Sequence, residues 1–320
     1  MEASPRRFLP LILKGLVSVG LIVYLFRKQL PNLESIRSAL LSADPYLVLL
    51  AASLHILGFL ICSYRWRLLL LAQGADFSMG ELVLSYLVGM FFNSFLPGTM
   101  SGDVVRAMDT AGRAGSMGRS MLVVFVERLT GMIALLVMTG AVLTVFGPGV
   151  LGHPNITFFL VFLTFFILVS LGLLFHPAGY DLMERMVDGI PAATVQRKFR
   201  KIAESLHAFS GKGRVLGLCV LISLLFQANV VLHFWILGEA LEIDISWTLY
   251  FAIIPVSLLL LMLPASINGI GLREQVFILL FGNFGVSAVV AVSLAWIAFG
   301  ISLLQAFLGG VAFGIRKKNR

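Results

Sequence analysis

The sequence predicts an all-α integral membrane protein, with about six full spans plus two re-entrant, broken-helix hairpins in an inverted-repeat arrangement. Three observations carry this expectation. The 320 residues are 59% hydrophobic and only 12% charged, against about 25% charged in a soluble domain, and the mean hydropathy is +0.97. Several apolar runs approach or exceed the ~20 residues that cross a hydrocarbon core. Two shorter apolar runs, 80–96 and 247–263, stop abruptly at Pro97 and Pro264.

The elements follow in chain order. Arg6 and Arg7 precede an apolar run over 8–26 that lacks a small-residue cleavage site, so it is expected to be retained as the first span. Further full spans are expected at 45–71, 119–147, 155–175, 214–241 and 286–315. The whole chain, 1–320, then forms a single polytopic domain with repeat halves at about 45–147 and 214–315. A polar loop at about 176–213 separates them and has room for one or two amphipathic helices.

Charge sets the orientation. The loop carries Arg185, Arg197, Lys198, Arg200, Lys201 and Lys212, and the tail ends "RKKNR". Both belong on the cytoplasmic side, together with Arg6 and Arg7. If 80–96 and 247–263 crossed fully, one of these basic segments would face outward. Treating both as re-entrant places both termini in the cytoplasm, against only the weak opposing signal of Arg27, Lys28 and Arg37. The net charge of +8 is expected to serve cytoplasmic loops and anionic lipid headgroups rather than nucleic acid.

The two breaks match each other. In the register that lays Pro97 on Pro264, "LPGTMSGDVVR" faces "LPASINGIGLR" without a gap. Leu-Pro, a small residue, a hydroxyl, a glycine (Gly102, Gly269) and an arginine (Arg106, Arg273) are shared. Pro97, Gly98, Gly102, Pro264, Gly269 and Gly271 are the expected structural hinges. Proline and glycine end a helix and free backbone N–H and C=O groups, which survive in a bilayer only against protein or a wet cavity. Paired interruptions of this kind point to a transporter binding site.

Charged residues near the breaks supply the candidate substrate site. Glu127 and Arg128 lie about eight residues into their span, roughly 12 Å deep at 1.5 Å per residue. Neighbours on a helix point about 100° apart, so each needs another partner: Arg106 for Glu127, and Asp103 or a substrate phosphate for Arg128. Arg273 and Glu274 open a short helix after Gly271, where free N–H groups and a guanidinium suit an anion. Arg106 and Arg273 are the expected contacts to a lipid phosphate, with Asn93, Ser101 and Asn268 as lining polar groups. Glu127 and Glu274 are the candidates for proton coupling. Charges at such depth are functional candidates by default.

Other features carry less. The string Tyr64–Arg65–Trp66–Arg67 reads as an aromatic and basic belt anchoring a span at the interface. Cys62 and Cys219 fall in apolar runs as small buried groups. The five histidines show no ligand spacing, so no metal is assigned. No Walker loop, nucleophile elbow or dinucleotide fingerprint occurs, so neither a cofactor nor an enzymatic activity is expected.

The segments "NSFLPGTMSGDVVRA", "VERLTG" and "LPASINGIGLREQ" resemble the flippase-like transmembrane region of lysylphosphatidylglycerol synthases, the UPF0104 group, over nearly the whole chain. The resemblance implies translocation of a phospholipid or lipid-linked headgroup between leaflets of the cytoplasmic membrane. The chain is expected to be a stand-alone member without the synthase domain, so lysyl transfer is not implied. The alternatives are a membrane-embedded transferase acting on a lipid-linked substrate and a non-catalytic scaffold. Expected partners are anionic or phosphate-bearing lipids, with a homo-oligomer or a lipid-synthesising protein as further candidates, helped by small-residue stretches such as "LGGVAFG".

Overall fold

The computed structural model describes residues 33–95, 101–147, 211–262 and 269–318, with scattered positions between 19 and 27 and between 149 and 209. Every regular element among them is helical. In chain order these are α1 (Leu33–Ser42), α2 (Pro45–Ala72), α3 (Met79–Phe95), α4 (Ser101–Ala111), α5 (Met117–Phe146), α6 (Gly213–Ala240), α7 (Trp247–Leu261), α8 (Leu272–Gly282) and α9 (Ala288–Lys318). Four of them, α2, α5, α6 and α9, are long and apolar enough to cross a membrane. The shorter apolar helices α3 and α7 stop where the sequence breaks. The expected spans at 8–26 and 155–175 and nearly all of the basic loop lie outside the described residues, as do Pro97, Gly98, Pro264 and Asn268.

Local chemistry fixes the helix ends. Asp44 caps α2 by accepting from the Tyr46 and Leu47 amides at 2.8 and 3.2 Å, with Pro45 in the first turn. Ser116 caps α5 through the Arg119 amide at 3.2 Å. Gly271, at φ 81°, turns the chain into α8, where its amide donates to Glu274 Oε2 at 2.8 Å. Pro255 sits inside α7, where it leaves the Phe251 carbonyl without its helical donor.

The helices repeat as a set. In the register of Pro97 on Pro264, α2, α3, α4 and α5 lie over α6, α7, α8 and α9 in order. Packing crosses between the sets: α3 lies against α9, α7 lies against α5, and α2 runs along α6. Some of these approaches need glycine. A Cβ on Gly102 would strike the Gly89 carbonyl oxygen, and one on Gly309 would strike the Leu87 carbonyl oxygen, so α3 meets α4 and α9 backbone to backbone.

Apolar side chains fill two larger cores, and a small third one around Ile36 and Val292 joins α1 to α9. One of the larger two gathers Trp66, Leu70, Leu82, Val123 and Cys219. The other gathers Tyr250, Ile254, Phe277, Phe281 and Leu294. The polar groups described next lie between α2, α4, α5 and the facing helices.

Candidate functional site

The start of α4 is stapled to the end of α3. The Gly102 amide donates to Asn93 Oδ1 at 2.7 Å, and Ser101 Oγ donates to the Phe92 carbonyl at 3.1 Å. Asn93 and Ser101 thus hold the first break together, and Asn93 also lines the adjoining space, as the sequence leads one to expect. This staple turns Asp103 and Arg106 inward toward α5.

A cluster of buried charge results. Glu127 accepts from Arg65 Nη2 at 3.0 Å, from Arg106 Nη2 in close contact, and from the Tyr86 hydroxyl at 3.4 Å. Arg65 Nη1 also donates to Ser223 Oγ at 2.5 Å, which ties α2 to α6. Asp103 pairs with Arg106 Nη1 at 3.5 Å and with Arg128 Nε at 2.5 Å. The Arg106 guanidinium is also layered between the Trp66 and Tyr86 rings, at 4.2 and 3.9 Å from their centroids. Both pairings anticipated from helical geometry, Arg106 with Glu127 and Arg128 with Asp103, are present.

The sum of charges decides what this cluster attracts. Among the described residues three guanidinium groups stand against two carboxylates, one positive charge in excess. Arg106 is enclosed on every side named above. Arg128 is different, because 38% of its side chain stays open. Beside it lies a space of about 180 Å³ that Asn93 and Arg128 also line.

That space adjoins a larger one. Phe59, Tyr86 and Met90 form a wall common to it and to a cavity of about 500 Å³ between α2, α6, α7 and α9. Arg273 lines the larger cavity and stacks over the Phe299 ring at 4.8 Å. Glu274 is engaged elsewhere, holding the Gly271 amide and the Trp296 indole N–H, the latter at 3.1 Å. Gly269, at φ 74°, accepts from the Arg273 amide at 2.8 Å. The structure therefore brings Asn93, Asp103, Arg106, Glu127 and Arg128 together, and places Arg273 in the neighbouring cavity.

Sequence reasoning missed several groups. Arg65 and Trp66 do not anchor an interface: they are 5% and 0% exposed, respectively, and face the charge cluster. The available signal was depth, since α2 runs on through seven more residues to Ala72, roughly 10 Å of helix beyond Arg65. His55 and His233 are not scattered: their ring centroids lie 5.3 Å apart beside the larger cavity. His55 Nδ1 contacts Gln305 Oε1 closely, and His233 Nδ1 lies 2.8 Å from the Ala51 carbonyl. No group of three metal-ligating side chains occurs among the described residues.

A second polar patch lies at the exposed start of α3. Arg113 contacts Glu81 closely and Ser78 donates to it, and together they draw the Glu81 carboxyl down to about 2. Nearby, Asp109 Oδ2 accepts from Ser85 Oγ at 2.8 Å and from Arg316 at 2.7 Å, fastening the end of α9 to α4.

Comparison with known proteins agrees with this helical membrane architecture. The chain is 22% identical over 325 residues to the UPF0104 membrane protein MJ1595 of Methanocaldococcus jannaschii, covering 97% of this chain and 94% of that protein. Together with its apolar helices, this makes it a multi-pass membrane protein. Residues 11–310 match the family described as the lysylphosphatidylglycerol synthase TM region, and the chain belongs to that family.

Proposed function

We propose that the protein moves a phosphate-bearing lipid between the leaflets of the cytoplasmic membrane. In this reading six spans and two re-entrant hairpins form two inverted halves, with both termini in the cytoplasm. The recurring helix order and the crossed packing of α3 on α9 and α7 on α5 support it. Such an exchange of partners is what a pseudo-two-fold axis produces, and rocking of one half on the other would alternate access to the space between them.

The observation that carries the proposal is the surplus positive charge held inside the helix bundle and opening, through Arg128, next to the larger cavity. Arg128 and Arg273 are the two positions assigned to the phosphate on its path. Arg106 serves instead to hold Glu127 and close the cluster. The carboxylates of Glu127 and Glu274 are occupied by donors, which leaves proton coupling without support.

The test uses purified protein in liposomes with fluorescent phospholipids, where dithionite quenching reads the leaflet. Arg128→Gln combined with Arg273→Gln is expected to slow lipid movement at least tenfold while elution as a monodisperse species is retained. An unchanged rate in that double variant would sink the proposal.

A further inference from the structure

The larger cavity has a chemistry of its own, apart from the charge cluster. Its walls are mainly aromatic and aliphatic, and few polar groups enter it, the usual make-up of a site that orients one ligand. Its volume of about 500 Å³ falls within the range of roughly 300–1,000 Å³ typical of such sites. Three of the polar groups that line it can present an acceptor.

Gln227 is the clearest of these. It is 4% exposed, lines the cavity, and its Oε1 has no hydrogen-bond partner among the described residues. The two histidines add to it. His233 Nδ1 faces the Ala51 carbonyl, so the neutral ring donates there and presents Nε2 as an acceptor. His55 Nδ1 faces Gln305 Oε1 in the same sense. The hydroxyl nearest to His55 Nε2, Ser302 Oγ at 3.5 Å, gives its proton to the Ala298 carbonyl at 3.0 Å. Three acceptors from α2 and α6 therefore line one chamber, and Arg273 supplies its cation.

From this set we infer that the cavity binds the headgroup of a lipid whose phosphate is esterified to a ring polyol, such as an inositol or a sugar. The phosphate lies toward Arg273. The hydroxyls donate to Gln227 Oε1 and to the two imidazole Nε2 atoms. The apolar faces of the ring lie on aromatic walls such as Phe226 and Phe277. A trimethylammonium headgroup has no N–H or O–H to offer these acceptors, and a primary ammonium brings a positive charge toward Arg273.

This substrate class rests on the translocation proposal for its place in a transport cycle, but binding is measured separately. The full-length protein in detergent is titrated with dioctanoyl phosphatidylinositol, phosphatidylethanolamine and phosphatidylcholine, and with free inositol 1-phosphate, and affinity is read by thermophoresis. The inositol lipid is expected to bind about tenfold tighter than the other two lipids, the scale of one or two neutral hydrogen bonds. Gln227→Leu, which removes the unpartnered Oε1 at similar volume and is checked for an unchanged monodisperse elution, is expected to reduce that preference at least threefold.

Equal affinities for the three lipids, no measurable binding, or a preference that survives Gln227→Leu unchanged would each overturn the inference. Free inositol 1-phosphate binding as tightly as the lipid would also overturn it, by assigning the site to a soluble polyol phosphate. Failure of the two proposals is distinguishable in the liposome assay. Selective binding without lipid movement removes translocation and leaves the site, whereas movement without selectivity does the reverse.

Discussion

Glu127→Ala is the substitution on which the account of the charge cluster depends most. The carboxylate is 1% exposed and serves two arginines, Arg65 and Arg106, that are 5% and 4% exposed. Its removal deletes two charge-assisted hydrogen bonds, worth about 1.5–3 kcal/mol each, and leaves Arg65 without its carboxylate and Arg106 with only Asp103, at 3.5 Å. The sum, about 3–6 kcal/mol, agrees with the roughly 3–5 kcal/mol seen when one partner of a buried ion pair is deleted. The assay is reversible unfolding in mixed detergent and SDS micelles, followed by tryptophan fluorescence, since Trp66 lies against Arg106. The triple variant Arg65→Met, Glu127→Leu, Arg106→Met separates stability from function. It removes the whole triad at similar volume and is expected to unfold within about 1.5 kcal/mol of the wild type. A loss below about 1 kcal/mol for Glu127→Ala, or a triple variant no more stable than Glu127→Ala, would refute the view of Glu127 as the clamp of this cluster.

Other outcomes follow from the same contacts. Gly102→Ala places a methyl on the Gly89 carbonyl and is expected to destabilise by at least the 1–3 kcal/mol or so of ordinary overpacking, measured as loss of the monodisperse peak in fluorescence-detected chromatography. The Glu81 carboxyl titrates lower in the folded protein, at about 2 against 4.5. Its contribution is therefore full above pH 4.5 and lost as the pH falls toward 2, and because the pair is half exposed the effect is small. The Tm difference between wild type and Glu81→Gln is expected at pH 6, to shrink between pH 4 and pH 2, and to weaken in high salt. Asp109→Asn weakens the tie between α4 and Arg316, and faster proteolysis of the C-terminal end of α9 is the expected readout.

Much of the helical framework was legible because its signals are local. The positions of the four long helices follow from runs of apolar residues, and the structure finds Asp44 with Pro45, and Ser116, capping the starts of two of them. The two ion pairs from Arg106 and Arg128 were legible because helical geometry rules out Glu127 and Arg128 as partners of each other. What stayed hidden depends on contacts between distant segments. His55 and His233 meet only because α2 runs along α6, and no spacing within either helix announces it. Gln227 becomes notable only once its oxygen is found without a donor. Arg65 was obscured by its own neighbours, since Tyr64, Trp66 and Arg67 imitate an interfacial belt while the helix continues past them.

The two sets of helices repeat in order but not in chemistry, and that difference bears on how such a protein would work. In the register of Pro97 on Pro264, Arg65, Asp103, Glu127 and Arg128 face Leu232, Ile270, Leu294 and Ala295. Conversely, Gln227, His233 and Gln305 face Leu60, Trp66 and Met138. The first set thus supplies the ionic cluster together with His55, and the second supplies Gln227, His233 and the Arg273 cation, so under the proposed translocation a headgroup would meet paired charges on one side of Phe59, Tyr86 and Met90 and mainly neutral acceptors on the other. Placing a carboxylate in the second set, by Leu294→Glu at a position that is 0% exposed, would bury it without the arginine and Tyr86 contacts that hold the natural one. Loss of folded protein is expected from that exchange. A stable Leu294→Glu variant would show that the scaffold tolerates a buried carboxylate in either half, and the division of chemistry between the halves would then have no structural basis.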